Sequence, residues 1–302
     1  MKQDKSVVVR RSNPANLDLT GTNVAIVGGT GGIGRAFARL LAARGAHVLV
    51  VGRTFRDAGL PGIEFLPADL NLMREAERVA ARLPAETLDL VVLTTGIFAA
   101  PARQETSEGI ERDMAVSYLS RLVILRGIAE RLGTRRPAIE HRSRVFVMGY
   151  PGTGRAGTHD DLNAEKSYHT MAVHMNTVAG NEMLVLDAAR RYPHLGVFGL
   201  NPGFIKSDIR GNLLGAGSLP HRLMEGAVGL LTPSTDTYAE RIVPLLVSPD
   251  LDDHSGVMFN RKGAAVRPTA ALTDDHIEKF LSASTDLVTR TGVRLGPSAD
   301  AG

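Results

Sequence analysis

Apolar residues along this chain fall into short unbroken runs, separated by longer stretches in which they recur every three or four positions. The runs at 24–27, 47–51, 63–66, 88–93, 144–148, 196–200 and 256–259 are too short for helices and lack polar alternation. They predict strands buried on both faces. The stretches between them predict helices. The first carries Ile33, Phe37, Leu40 and Leu41 on one side and stops at Gly45, and the second opens at Asn71 with Leu72, Ala76, Val79 and Leu83 along one stripe. Further helices are expected over 108–132, 171–191 and 235–246. Alternation of this kind predicts an α/β protein, a doubly wound and mostly parallel sheet with helices on both faces. Residues 1–20 carry no such pattern and read as a flexible tail, 21–302 as a single domain, and the Gly- and Pro-rich segment 204–233 as an insertion covering a substrate.

Composition narrows the classes. With 43% hydrophobic and 22% charged residues the chain can bury a sizeable core. The net charge of +3 is spread out, without a run of five basic residues, so no nucleic-acid partner is expected. No apolar run approaches the roughly 20 residues that span a bilayer. No signal-peptide pattern opens the chain, so a cytoplasmic protein without a membrane partner is expected. Without cysteine, disulfides and thiol nucleophiles are excluded. His159-Asp160-Asp161 and Asp252-Asp253-His254 cluster candidate metal ligands in polar loops with no converging spacing; they read as solvated turns, and no metal is expected.

The sharpest chemical signal is Val24-Ala-Ile-Val-Gly-Gly-Thr-Gly-Gly-Ile-Gly34, an apolar strand running through a glycine-rich turn into an amphipathic helix. Gly28 permits the tight turn, Gly32 lets the backbone approach a pyrophosphate, and Gly34 allows close helix–strand packing, with Thr30 and Ile33 between them. Free N–H groups at the helix start stabilise the phosphate charge. A phosphate-binding P-loop is excluded because Arg35-Ala36 stands where Lys-Ser/Thr is required. At the end of the second strand, Arg53 and Thr54 replace the acidic residue that would bond a ribose 2′-hydroxyl. A guanidinium there suits a 2′-phosphate, which favours NADP(H) over NAD.

The spacing of Gly28, Gly32 and Gly34 resembles that of the short-chain dehydrogenase/reductase family, and the likeness extends over about residues 20–265. The resemblance implies a Rossmann-type, seven-stranded sheet in the order 3-2-1-4-5-6-7. Asp69-Leu70 looks like the adenine-contacting pair. Asn201-Pro202-Gly203-Phe204-Ile205-Lys206-Ser207 looks like the segment lining the nicotinamide, in which Ile205 and Ser207 would contact the carboxamide alongside Pro202 and Gly203. Gly96 is what remains of the family's motif at the fourth strand. The family also implies a small-molecule substrate, and a homodimer or homotetramer formed through the helices at 108–132 and 171–191.

The catalytic residues depart from the family. Its Tyr-x-x-x-Lys pair is absent: none of the five tyrosines is followed four residues later by lysine. Matching the 163–187 segment to the retinol-dehydrogenase-like branch puts His174 at the tyrosine position, Val178 at the lysine, Tyr150 at the serine and Ser117 at the asparagine. The change has a physical logic, since a tyrosine near pKa 10 needs the lysine at neutral pH and an imidazole near 6.5 does not. The expected chemistry is reduction of a carbonyl or enone, with Tyr150 holding the oxygen, His174 giving the proton and Ser117 ordering a water. The competing expectation is an NADP(H)-binding protein without hydride transfer, a sensor, scaffold or non-redox enzyme. Tyr118 and Arg121, one helical turn apart, read as an exposed pair.

Overall fold

The computed structural model describes residues 1–10, 12–136, 141–203 and 234–295. Its strands are β1 (Asn23–Val27), β2 (His47–Gly52), β3 (Ile63–Pro67), β4 (Leu90–Leu93), β5 (Arg144–Met148), β6 (Gly196–Leu200), β7 (Met258–Phe259) and β8 (Ala265–Val266). They form one sheet in the order 3-2-1-4-5-6-7-8. The expected order is therefore present, with one more strand at the edge. Pairing is parallel from β3 through β7, with Val27 opposite Val51 and Leu93, and Leu93 opposite Val147; β8 turns back antiparallel on β7. Since β1 adjoins both β2 and β4, the strand order reverses there. A crevice opens at that point beyond the carboxyl ends of the strands.

The unbroken apolar runs follow from burial on two faces. Val24 and Ile26 pack with Phe37 and Leu41 of α1 (Gly32–Ala43) and Tyr238 and Ile242 of α6 (Thr235–Leu246). Ala25 and Val27 turn the other way, into a larger core shared by α2 (Met73–Arg82), α4 (Ser120–Ile128) and α5 (Thr170–Arg191). Each fully buried Leu, Ile or Phe contributes about 1.5–3 kcal/mol relative to exposure.

α4 continues α3 (Arg112–Met114) through a π turn, Ala115–Leu119. A final helix, α7 (Asp274–Thr289), escaped the sequence reading. Its Phe280 and Leu281 join the larger core, with Phe280 edge-on to Tyr118. Gly180 of α5 has no room for a side chain because Tyr118 and Phe280 lie about its Cα. α7 thus packs against α5, one of the two helices expected to carry a dimer.

The reading of residues 1–20 as a flexible tail also needs correction. The Asp4 amide donates to the Ala265 carbonyl and the Arg267 amide to Lys2, both at 2.9 Å, so the segment runs along β8. Val7 and Val9 pack on the smaller core, and Arg10 pairs with Asp250 at 2.6 Å. The unpaired edge of β8 supplies the backbone partners that the local sequence pattern could not show.

Candidate active site

The coenzyme end is built by close approach. Gly28 has φ +92°, and a Cβ there would lie 2.7 Å from the Thr95 amide nitrogen. A Cβ on Gly34 would meet the Gly28 carbonyl and sit 2.5 Å from Thr94 Oγ1, so β1, α1 and the end of β4 touch through bare backbone. Around Gly31 and Gly32 the opposite holds: among the described residues a Cβ at either would meet nothing within 4 Å. α1 starts there without a side-chain cap. Its first amides therefore face open space, as a phosphate site requires. Thr95 Oγ1, just across the crevice, is buried with no hydrogen-bond partner among the described residues. Open space, uncapped amides and an orphaned hydroxyl fit a dinucleotide diphosphate.

At the adenosine end, Arg53 and Thr54 are exposed just past β2. The next acidic residue, Asp57, is buried and taken by Arg35, which grips it with Nη2 at 2.6 Å and Nε at 2.8 Å. The Arg35 hydrogen bonds hold the Asp57 carboxyl below the usual range. Asp69 is exposed with its carboxylate turned back to the Asn71 amide at 3.2 Å, while Leu70 is buried.

The other half of the site is set by two polar stripes on facing helices. Asp113, Ser117 and Arg121 follow one another at four-residue spacing through α3, the π turn and α4. His174 and Asn181 lie seven apart on α5, with the buried Val178 between them. His174 Nδ1 is 2.8 Å from Asp113 Oδ2. Its ring also stacks on Phe98, centroids 3.9 Å apart. Asp113 is wholly buried; its other oxygen accepts from Ser117 Oγ at 2.5 Å. Ser117 Oγ in turn accepts from the Ile97 amide at 3.0 Å. The start of α5 is pinned to the loop after β4 by Tyr168 and Thr170, both bonded to the Ala100 carbonyl. Two constraints, one in the ring plane and one on its face, therefore fix the His174 imidazole, whose side chain keeps 15% exposure. Tyr150 is half-buried at the same sheet end, two residues past β5. Its loop is anchored by the buried Glu182, which accepts from the amides of Gly152 at 3.1 Å and Thr269 at 2.6 Å.

Residues 22–139 match the family model described as short chain dehydrogenase. An uncharacterized oxidoreductase of Saccharomyces cerevisiae is 48% identical, over 95% of this chain and 94% of its own. The chain belongs to the short-chain dehydrogenase/reductase family. Retinol dehydrogenase 12 of Mus musculus is 25% identical over 81% of this chain and 79% of its own length. Among solved structures, a short-chain dehydrogenase/reductase from Serratia marcescens superposes with TM-score 0.58 at 18% identity, covering 80% of this chain and 96% of that one.

Members of this family bind nicotinamide dinucleotides. In this short-chain dehydrogenase the residues expected from sequence fall at one end of the sheet. Gly28, Thr30, Gly32, Ile33 and Gly34 follow β1, and Arg53 and Thr54 follow β2. Asp69 and Leu70 follow β3, Gly96 follows β4, and Pro202 and Gly203 follow β6. Ile205, Ser207 and the expected insertion 204–233 lie outside the described residues.

Three readings change. Ser117 was expected to order a water, yet its hydroxyl hydrogen goes to Asp113. Tyr118 and Arg121 are not an exposed pair: Tyr118 bonds Ser284 Oγ at 3.0 Å in the core, and Arg121 is buried beneath the site. Asp252 is no free turn residue either, because Arg144 holds it at 2.6 Å and His141 contacts its other oxygen. Among the described residues no three His, Asp or Glu side chains converge as a metal site. The sequence reading missed Asp113 altogether. Its signal was present as polar residues recurring every fourth position in an otherwise apolar helix, a pattern that marks a buried polar stripe.

Proposed function

We propose that this short-chain dehydrogenase is an NADP(H)-dependent oxidoreductase that reduces a carbonyl or enone of a small organic molecule, with His174 as proton donor. The observation that carries the reading is the pairing of His174 Nδ1 with the buried Asp113 carboxylate at 2.8 Å. A carboxylate can only accept, so the ring hydrogen sits on Nδ1 when the imidazole is neutral and Nε2 is left for the substrate. When protonated, the ring donates from Nε2 to the substrate oxygen while Asp113 stabilises the cation. Bound in the crevice, the dihydronicotinamide supplies the hydride. His174 would give its proton to the substrate oxygen, balancing the negative charge left there when the electrophilic carbon is reduced. Tyr150, on its anchored loop, donates a hydrogen bond to the same oxygen. Arg53 and Thr54 take the 2′-phosphate, a role supported by the absence of a competing carboxylate at that strand end once Asp57 is committed to Arg35. NAD, with a bare hydroxyl, gains nothing from that cation.

The arrangement also argues against hydrolysis. Ser117 bonds Asp113 and not the imidazole, so the carboxylate lies between hydroxyl and ring and Ser117 is not activated as a nucleophile. The test is NADPH oxidation against a panel of aldehydes, ketones and enones, comparing the wild-type chain with His174→Phe. Loss of turnover by about a hundredfold or more is expected for the variant. Equal turnover on a substrate that the wild-type chain reduces removes His174 from the mechanism.

A further inference from the structure

Arg121 raises a question that the proposed reduction leaves open. Its side chain is buried, with 3% of the residue exposed, and no carboxylate among the described residues lies in ion-pair contact with it. One terminal nitrogen donates to the Met148 carbonyl at the end of β5 and to Asn181 Oδ1 at 2.8 Å; the other donates to the Thr95 carbonyl past β4. Nε has no partner among the described residues. A buried cation satisfied only by neutral oxygens costs several kcal/mol unless another charge offsets it. The acidic group whose charge bears on Arg121 is the buried Asp113, and a chain of hydrogen bonds through Asn181 and both the backbone and side chain of Ser117 links the two. Asn181 Nδ2 donates to the Ser117 carbonyl at 2.8 Å, and Ser117 Oγ donates to Asp113. Each member of this chain is buried, where low dielectric strengthens the coupling of charges.

We propose that Arg121 is a positioning residue for the His174–Asp113 pair: its fixed cation offsets the buried negative charge of Asp113, and thereby holds the His174 ring with Nε2 toward the substrate. The proposal rests on the reading of His174 as the proton donor. The guanidinium itself stays charged at neutral pH. Burial pulls its pKa down to about 9, and Asp113 acts against that. Other charged groups bear on the pair. Glu111, at the start of α3, is pushed up to about 6, by burial first and by Asp113 as well. From the flanking loops, Tyr168 feels both of these carboxylates, and Arg103 opposes their effect on Glu111 and Tyr168. Glu111 titrates in the range of a histidine, so the imidazole must be observed directly.

The experiment is an NMR pH titration of the His174 ring, assigned by its disappearance in His174→Phe, in the wild-type, Arg121→Met and Arg121→Lys chains. Without the cation the pair takes up its first proton more readily, so its apparent midpoint moves to higher pH by about half a unit or more in Arg121→Met. In Arg121→Lys it stays near the wild-type value. The limb on which turnover falls with rising pH moves in the same direction as the midpoint. A folded Arg121→Met chain with an unmoved midpoint overturns the proposal. A midpoint that moves while the turnover limb does not upholds the coupling and instead refutes His174 as donor. If Arg121→Met fails to fold, the double variant Arg121→Met/Asp113→Asn decides: restored folding is expected when two compensating charges go together. A double variant no more stable than the single overturns the proposal.

Discussion

The turn after β1 and the wall formed by α3, α4 and α5 face the same crevice, yet they are built differently. The turn is local. Seven consecutive residues, Gly28 to Gly34, supply the close approach and the uncapped helix start, and their side chains matter mainly by being absent. The wall is assembled from afar, with Asp113 meeting His174 across 61 residues of sequence and Arg121 meeting Asn181 across 60. The turn keeps the family pattern and the wall abandons it. A backbone cradle for phosphate has few alternative solutions, whereas a proton donor needs only a matched pKa and a fixed orientation. In the proposed mechanism, an imidazole held by Asp113 and Phe98 meets that need without a lysine.

The comparison breaks most sharply at Asp113. Asp113→Asn keeps the size of the side chain but offers Nδ1 an amide in place of a carboxylate, so the ring orientation is no longer enforced. Turnover is expected to fall by about 10²–10⁴-fold while NADPH affinity, measured by calorimetry, stays within about twofold. A matching loss of affinity would mean that wall and turn are not separable.

Gly34→Val tests the turn. Its side chain would be forced against Gly28 and Thr94, so NADPH affinity is expected to drop by about a hundredfold. Stability is expected to fall by about 1–3 kcal/mol in urea unfolding, the usual cost of overpacking. Next in size, Arg53→Ala would remove the proposed charge-assisted hydrogen bond to the 2′-phosphate, worth about 1.5–3 kcal/mol. The ratio of NADPH to NADH affinity should fall by about tenfold or more, with NADH affinity itself unchanged.

The smallest effect concerns the wall's electrostatics. Glu111 has an ordinary value of 4.5 and is raised to about 6 by burial, aided by Asp113. The folded chain therefore binds its proton more tightly than the unfolded chain. Stability is greatest below about pH 4.5 for this group and declines as pH rises through about 6, by about 2 kcal/mol in all. Glu111→Gln keeps an oxygen for the Met114 amide and removes the titration, so chemical denaturation should show a flatter profile between those two pH values.

How much was legible follows the same division. Strand positions could be read because local pattern fixes them, and the 3-2-1-4-5-6-7 order followed from the resemblance to the family. The edge escaped: β8 has two residues, and residues 1–10 are placed by its backbone groups and by distant contacts of Val7, Val9 and Arg10. α7 has the helical period, at Ile277, Phe280, Leu281 and Ser284, but among the described residues no strand follows it to set it in context. At the wall, His174 could be named from its place in the family pattern. Asp113 could not, because its role depends on two helices facing each other, and sequence spacing does not report which faces meet. Arg121 shows the limit most clearly: a long cationic side chain in sequence reads as surface, and only tertiary structure shows the carbonyl groups of Thr95 and Met148 that receive it.

Deuteride transfer tests the central claim most directly. Wild-type chain and His174→Phe would each be mixed with NADPH carrying deuterium at both C4 positions and with the carbonyl panel, with mass spectrometry of the products and calorimetry of coenzyme binding on the same samples. One deuterium per product molecule is expected from the wild-type chain, and about a hundredfold slower transfer from a variant that binds NADPH equally well. Tight NADPH binding with no deuterium passed to any member of the panel, or equal transfer by both chains, would contradict a reductase built on His174.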